Sequence, residues 1–289
     1  MPEITRRECL KLGCAVSTIF AMGGMPNLWA KNDDRMKLGI VTYNIASSWD
    51  LATIIENCQS IGIVGVELRT THAHGVEPTL SKSERREVKQ RFQDSGVVLW
   101  GLGSVCEFHS DVPDVVRRNI ETCKEFILLA EEVGAKGVKV RPNSLMEDKG
   151  IPVDKTLEQI GCALQECGKF AAEHGVEIWL EVHGKGTAHP PYIRQILDYC
   201  GHSSVGACWN SNPQDIKNGS VEEYFNLLKK DIKSCHINEL WKREYPWRQL
   251  FSLLKESGYS RFTLAEIPSS PDAERVLRYY KALWEELVK

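Results

Sequence analysis

Four short apolar runs in the second half of the chain each deliver a metal-competent side chain just before a turn. They carry Glu181 and His183 in VEIWLEVHG, Asn210 in VGACWNSNP, His236 in IKSCHINEL and Glu266 in RFTLAEIP. A carboxylate placed among apolar neighbours is costly unless it is paired, hydrogen-bonded or metal-bound. One divalent cation would satisfy Glu181 and Glu266 together, with His236 supplying nitrogen and Asn210 a neutral amide oxygen. Such a set suits manganese first, with magnesium or zinc as alternatives, better than a soft metal. The competing reading pairs each carboxylate with a base such as Arg141, Lys139 or Lys185.

Those four residues can meet only if the elements carrying them converge. From Lys37 onward, strand-like runs are readable at Lys37 to Tyr43, Val64 to Leu68, Val97 to Leu102 and Gly137 to Val140. Four more follow at Val176 to Val182, Val205 to Trp209, Ile232 to Ile237 and Phe262 to Ile267. Amphipathic stretches lie after each: Leu51 to Ser60, Ser83 to Asp94, Asp114 to Val133, Asp154 to Glu173, Tyr192 to Cys200, Val221 to Leu228, Pro246 to Glu256 and Asp272 to Val288. Glycines 62, 96, 134, 175, 201 and 258 close helical patterns just before the next apolar run, where a chain leaving a helix adopts a left-handed residue. Eight strand–helix units predict an α/β fold, a (β/α)8 TIM barrel in one domain over residues 36–289. An open doubly wound sheet lacks support, since no glycine-rich dinucleotide fingerprint follows the first strand.

Strand parity then sorts the side chains, because alternate residues face the barrel interior and the helical layer. Glu181 and His183 share the inner face with Trp179 below them. Lys139 and Arg141 alternate with Val138 and Val140, and Glu67 and Arg69 with Val66 and Leu68. Trp209 falls on the helix-facing side and is expected in the core. Tyr43, Trp241 and Trp247 are the candidate aromatic platforms on which a ligand could stack.

These residues make the chain resemble the xylose isomerase-like TIM-barrel superfamily, the group of sugar phosphate isomerases and epimerases, inosose dehydratases and the AP endonuclease 2-type barrel. The resemblance covers essentially everything from Met36. It rests on Leu180-Glu181-Val182-His183-Gly184, His236, Ala265-Glu266 and the stretch Asp114 to Val140. It implies one catalytic divalent metal held by residues at the positions of Glu181, Asn210, His236 and Glu266, with Glu181 and Glu266 flanking the substrate as acid and base. Two departures stand out: Asn210 and Pro213 occupy places where the family usually has Asp and His, and Thr187 stands where ketose 3-epimerases carry an acid. The first makes the cation site neutral, and the second weakens a narrow ketose-epimerase assignment.

The implied activity is isomerisation or epimerisation of a sugar by proton abstraction next to a carbonyl, with a metal-stabilised enediolate. His183, Arg141, Lys139, Glu67 and Arg69 are the candidate substrate-binding residues, and Lys242 and Arg243 could reach a substrate from the loop after the seventh strand. Elimination from a keto-sugar or 3-keto-glycoside by a lyase or dehydratase, and a sugar-binding barrel without catalysis, are the alternatives.

At the amino terminus, Arg6-Arg7 precedes a short apolar stretch, Leu12 to Met22, with small residues after it. This resembles a twin-arginine export signal, so residues 1–30 are read as signal and short linker. The expected location is periplasmic or exported, or cytoplasmic if the signal does not function, and export favours an unphosphorylated sugar. The chain of 289 residues has a formal net charge of -3, which gives no general attraction to phosphodiesters. The expected partner is a small carbohydrate, with no nucleic acid, no stable membrane span and no oligomeric state implied. His72, His74 and His109 are read as solvated loop residues rather than ligands of a trinuclear zinc cluster. The ten cysteines include no CxxC pair and are read mostly as small buried hydrophobes.

Overall fold

A computed structural model describes residues 35–289. The arginine pair, the short apolar stretch and the small residues after it lie outside the described residues. Eight parallel strands close on themselves in chain order: β1 (Lys37–Val41), β2 (Gly65–Arg69), β3 (Val98–Glu107), β4 (Gly137–Arg141), β5 (Glu177–Glu181), β6 (Val205–Asn210), β7 (Ile232–Ile237) and β8 (Phe262–Ala265). β8 returns to pair with β1 in the register Gly39 with Leu264, so the barrel has no free edge. Eight α-helices alternate with them: α1 (Leu51–Ile61), α2 (Lys82–Ser95), α3 (Pro113–Val133), α4 (Val153–Glu173), α5 (Pro190–Cys200), α6 (Glu222–Leu228), α7 (Trp247–Glu256) and α8 (Ala273–Leu287).

Local chemistry accounts for the helix boundaries. Asp50 caps α1 by accepting the Thr53 amide at 2.8 Å, and Ser81 with Glu84 forms a reciprocal capping box at the start of α2. All six glycines expected at helix ends have positive φ, among them Gly62 at 77° and Gly134 at 84°. No described helix is long and apolar enough to cross a membrane.

The side chains divide into two apolar bodies. Outward residues such as Val66, Leu68, Val138, Val140 and Trp209 pack with the helices, and Trp209 meets Phe225 of α6 edge to face. Val41, Trp100, Trp179, Cys208, Phe262 and Leu264 fill the barrel below its carboxyl-terminal rim. Trp100 stacks on Trp179 with centroids 5.2 Å apart and tilts against Phe262 at 4.9 Å. Small residues make room for this plug: a Cβ on Gly101 or Gly137 would lie 2.4 Å from the Trp179 ring. Below it, Arg261 makes two charge-assisted bonds to Glu177, 2.7 and 3.0 Å long, across the barrel floor.

β3 runs five residues beyond the expected Leu102. Gly101 and Gly103 interrupt the apolar alternation there, because a side chain at 103 would lie 2.9 Å from Glu67 Oε1. Trp247 is a second correction, since it is a core residue at 5 % exposure and not a sugar platform. Its indole donates to the Lys242 carbonyl at 2.9 Å and its ring packs on Tyr245.

Candidate functional site

The donors on β5, β7 and just after β8 converge at the carboxyl-terminal mouth. Glu181, His236 and Glu266 each offer one ligand atom, all within 4.8 Å of one another. His236 Nδ1 lies 3.5 Å from Glu181 Oε1 and 3.6 Å from Glu266 Oε2. These spacings are near those of atoms sharing one cation at about 2.0–2.2 Å. His236 and Glu181 are buried, whereas Glu266 is partly open to the mouth.

Glu67, expected at the substrate, is fully buried on β2 and serves the histidine instead. His236 Nε2 lies 3.1 Å from Glu67 Oε2, so Nε2 donates to that carboxylate, and a cation bound beside Glu181 and Glu266 would displace the Nδ1 proton and meet its lone pair. His236 Nδ1 and Asn210 Oδ1 are buried with no hydrogen-bond partner. Orphaned buried acceptors beside two carboxylates fit a divalent cation and give it three to four N and O donors. Asn210 contributes in a second way, since its Nδ2 donates to Glu181 Oε1 at 3.0 Å.

Lys139 is the residue that balances these charges. Its Nζ sits 2.9 Å from Glu181 Oε2. Burial alone would push the Glu181 carboxyl up, but Lys139 and then His236 outweigh it and hold the carboxyl well below its ordinary range. Burial likewise opposes the charge on Lys139 and on His236; Glu181 and then Glu67 raise Lys139, while Cys208 first, and then Glu67 and Glu266, raise His236. Glu181 thus sets Oε2 against Lys139 while its Oε1 lies 3.5 Å from His236 Nδ1.

Above these residues opens a cavity of about 380 Å³ lined by Tyr43, His183, Asn210, Glu266, Asn212 and Lys242 among others. A smaller recess of about 80 Å³, lined by Arg69, Lys139, Arg141, Glu181, His183 and Glu266 with Val41 and Tyr43, adjoins it. His183 therefore lines both spaces, and its buried Nδ1 is unpartnered. Its position depends on Gly184, where φ is 99° and a Cβ would lie 2.2 Å from the Asn143 carbonyl oxygen.

Other residues fall outside the cavity. Trp241 and Arg243 line a separate groove beside α7 and α8, and Trp241 is 66 % exposed. Lys185 makes no ion pair among the described residues; its amide instead donates to the Asn143 carbonyl at 3.0 Å. His74 is buried, unlike the solvated reading, bonding Arg69 O at 2.8 Å and the Val76 amide at 3.0 Å.

Sequence reasoning missed Glu107, which pairs with Arg141 Nη2, and the amides Asn212 and Asn238 at the rim. Asn212 Nδ2 ties β5 to β6 by donating to Val182 O at 2.6 Å and Asn210 O at 3.1 Å. The recurrence of Asn directly after β6 and β7 is the signal that could have found both.

Two carboxylates across a cation can exchange a proton with a bound carbon acid, so the arrangement is competent for acid–base chemistry. Residues 55–283 match the family model described as xylose isomerase-like TIM barrel. The chain belongs to that family. No curated protein matches it by sequence. Among solved structures, L-ribulose 3-epimerase superposes with a TM-score of 0.74 at 15% identity, covering 88% of this chain and 94% of that one. The apo form of 3-keto-D-glucoside 4-epimerase, YcjR, from E. coli gives 0.73 at 15% identity, covering 87% and 100%. The IolI protein with a bound zinc atom gives 0.69 at 18% identity, covering 88% and 98%. At these identities the likeness is one of fold, and the family's barrel is what they share.

Proposed function

We propose that this family member is a divalent-cation-dependent isomerase or epimerase of sugars, in which Glu181 and Glu266 move a proton at a carbon next to a carbonyl. The observation that carries this reading is the meeting of Glu181, His236 and Glu266 donors within 4.8 Å, with Glu266 lining the open cavity and Glu181 the recess that adjoins it. Glu181, His236 and Glu266 would hold the cation with Asn210 Oδ1 beside them, manganese being the first candidate and magnesium or zinc the alternatives. When bound, the cation draws electron density from a substrate oxygen and acidifies the neighbouring C–H. The zinc atom of IolI and the sugar epimerases of the same fold support the reading.

The protein's own residues divide the work. Lys139 keeps Glu181 ionised and oriented, so a carboxylate is ready to accept a proton at neutral pH. Glu266, just after β8, faces the cavity and in its protonated form would deliver its own proton to the other face of the carbon, leaving Glu181 protonated and Glu266 ionised until both exchange with solvent. His183 and Arg141 are placed to donate hydrogen bonds to hydroxyls, while Tyr43 offers an aromatic face at the rim.

Deuterium incorporation from D2O into a sugar carbon by the manganese-loaded protein tests this. Incorporation lost by about 10²–10⁴-fold in both E181Q and E266Q supports it. Cleavage of a 3-keto-glycoside would assign the same residues to a lyase, and binding with neither exchange nor cleavage would assign a sugar-binding barrel. Export through the arginine pair belongs to the proposal and is tested by fractionating cells that carry R6K/R7K.

A further inference from the structure

The small recess beside Glu181 has a charge pattern that neutral sugar hydroxyls do not require. Its lining carries three cations, Arg69, Lys139 and Arg141, against two carboxylates, Glu181 and Glu266. Lys139 is neutralised by Glu181, and Arg141 by Glu107 from outside the recess. Arg69 has no carboxylate partner among the described residues. Its Nη1 is held by the Thr70 carbonyl and Thr71 Oγ1, both at 2.7 Å, and its guanidinium lies 5.7 Å from the Tyr43 ring centroid. These contacts fix the fork without cancelling its charge.

Neighbouring groups register the same positive field. His72, whose ring stacks with Tyr43 at a centroid separation of 6.2 Å, has its pKa pushed down to about 4 by burial and then by Arg69. Arg141 Nε and His183 Nδ1 are buried without partners. Arg69 on β2 and Arg141 on β4 line the same recess as Glu181 and Glu266. A substrate whose reacting carbons lie over Glu181 and Glu266 would therefore extend a substituent into the recess.

Building on the proposed isomerase reading, we infer that the substrate is a sugar acid whose carboxylate enters this recess and is received by the Arg69 fork beside Arg141. With Lys139 and Arg141 each paired to a carboxylate, Arg69 presents a single uncancelled positive charge to the recess, which matches a monoanion. A phosphate would bring nearly two negative charges to within reach of Glu181 and Glu266. Planar fork-to-carboxylate recognition also explains arginine, not lysine, at the unpaired position.

The test is equilibrium binding by calorimetry to the full manganese-loaded chain, using matched pairs: glucuronate with glucose, galacturonate with galactose, and each hexose 6-phosphate as a third arm. The expected result is at least one uronate bound about tenfold or more tightly than its neutral partner, with that ratio collapsing towards one in R69M and recovering in part in R69K. Thermal melting of both variants separates loss of the fork from loss of the fold, and R69K keeps the charge if R69M fails to fold. A panel in which no uronate outbinds its neutral partner overturns the inference. So does a preference for the hexose 6-phosphate, or an acid-to-neutral ratio unchanged in R69M and R69K. Deuterium exchange on the same sugars separates the two readings: acid-selective binding without exchange sinks the isomerase and keeps the recess, whereas equal exchange on neutral hexoses does the reverse.

Discussion

Lys139 Nζ lies 2.9 Å from Glu181 Oε2, with the two side chains only 7 % and 3 % exposed. That contact divides one carboxylate between a structural task and a chemical one. Replacing the lysine in K139M strands a buried charge, so stability should fall by about 3–5 kcal/mol in urea unfolding at pH 7. The pH dependence has a definite sign. Glu181 has a depressed folded pKa, so its contribution is present above its ordinary 4.5 and is lost as pH falls through the lower folded value. The stability gap between wild type and K139M should therefore narrow below about pH 4.5; a gap that widens there would refute the pairing.

Under the proposed reading Glu67 would act on a bound cation through His236, so E67Q should weaken manganese binding by about 10–100-fold while Glu181 and Glu266 remain in place. Metal titration followed by manganese EPR reads this directly. Unchanged affinity would mean that the 3.1 Å contact to Nε2 has no influence on the lone pair of Nδ1.

Asn210 donates to Glu181 Oε1 at 3.0 Å. N210D replaces that donor by a second negative charge, so the metal-free protein should melt at a lower temperature than wild type. Cation affinity should rise, and saturating manganese at about 100 times its Kd should return about 2.7 kcal/mol to the variant. Melting curves with and without chelator check both halves, and an N210D protein with unchanged manganese affinity would remove Asn210 from the cation site.

The two tryptophans near α7 should behave in opposite ways. W247A opens a core position and should cost about 3–5 kcal/mol. W241A should change stability by no more than about 0.5 kcal/mol and leave sugar affinity intact, since Trp241 lines a different groove. A loss of sugar binding in W241A would contradict that placement.

Much of this architecture is legible in the residues themselves. The eight apolar runs, the amphipathic spacing between them and the glycines closing the helices specify the repeat, and parity separates Trp179 inside from Trp209 outside. Parity assigns a face but not a depth, which is why Glu67 reads like a substrate contact although it lies beneath His236. Glu107 escaped notice because glycines at 101 and 103, needed for Trp179 and Glu67, break the alternation that marks a strand. Trp247 misled because it opens α7 and its burial comes from ring packing on Tyr245 and Phe251, which the helical pattern alone does not announce. The division of Glu181 between Lys139 and the cation donors needs the β4–β5 pairing in three dimensions, because either task alone accounts for a buried acid.

The stacked rings of Trp100, Trp179 and Phe262, with Arg261 and Glu177 beneath them, make the barrel a blind well. Entry and exit must share a single doorway at the rim, so a reacted molecule has to depart before the next can arrive. Traffic through the centre is therefore strictly one at a time, and under the proposed activity accumulated product would compete with fresh substrate for the same opening.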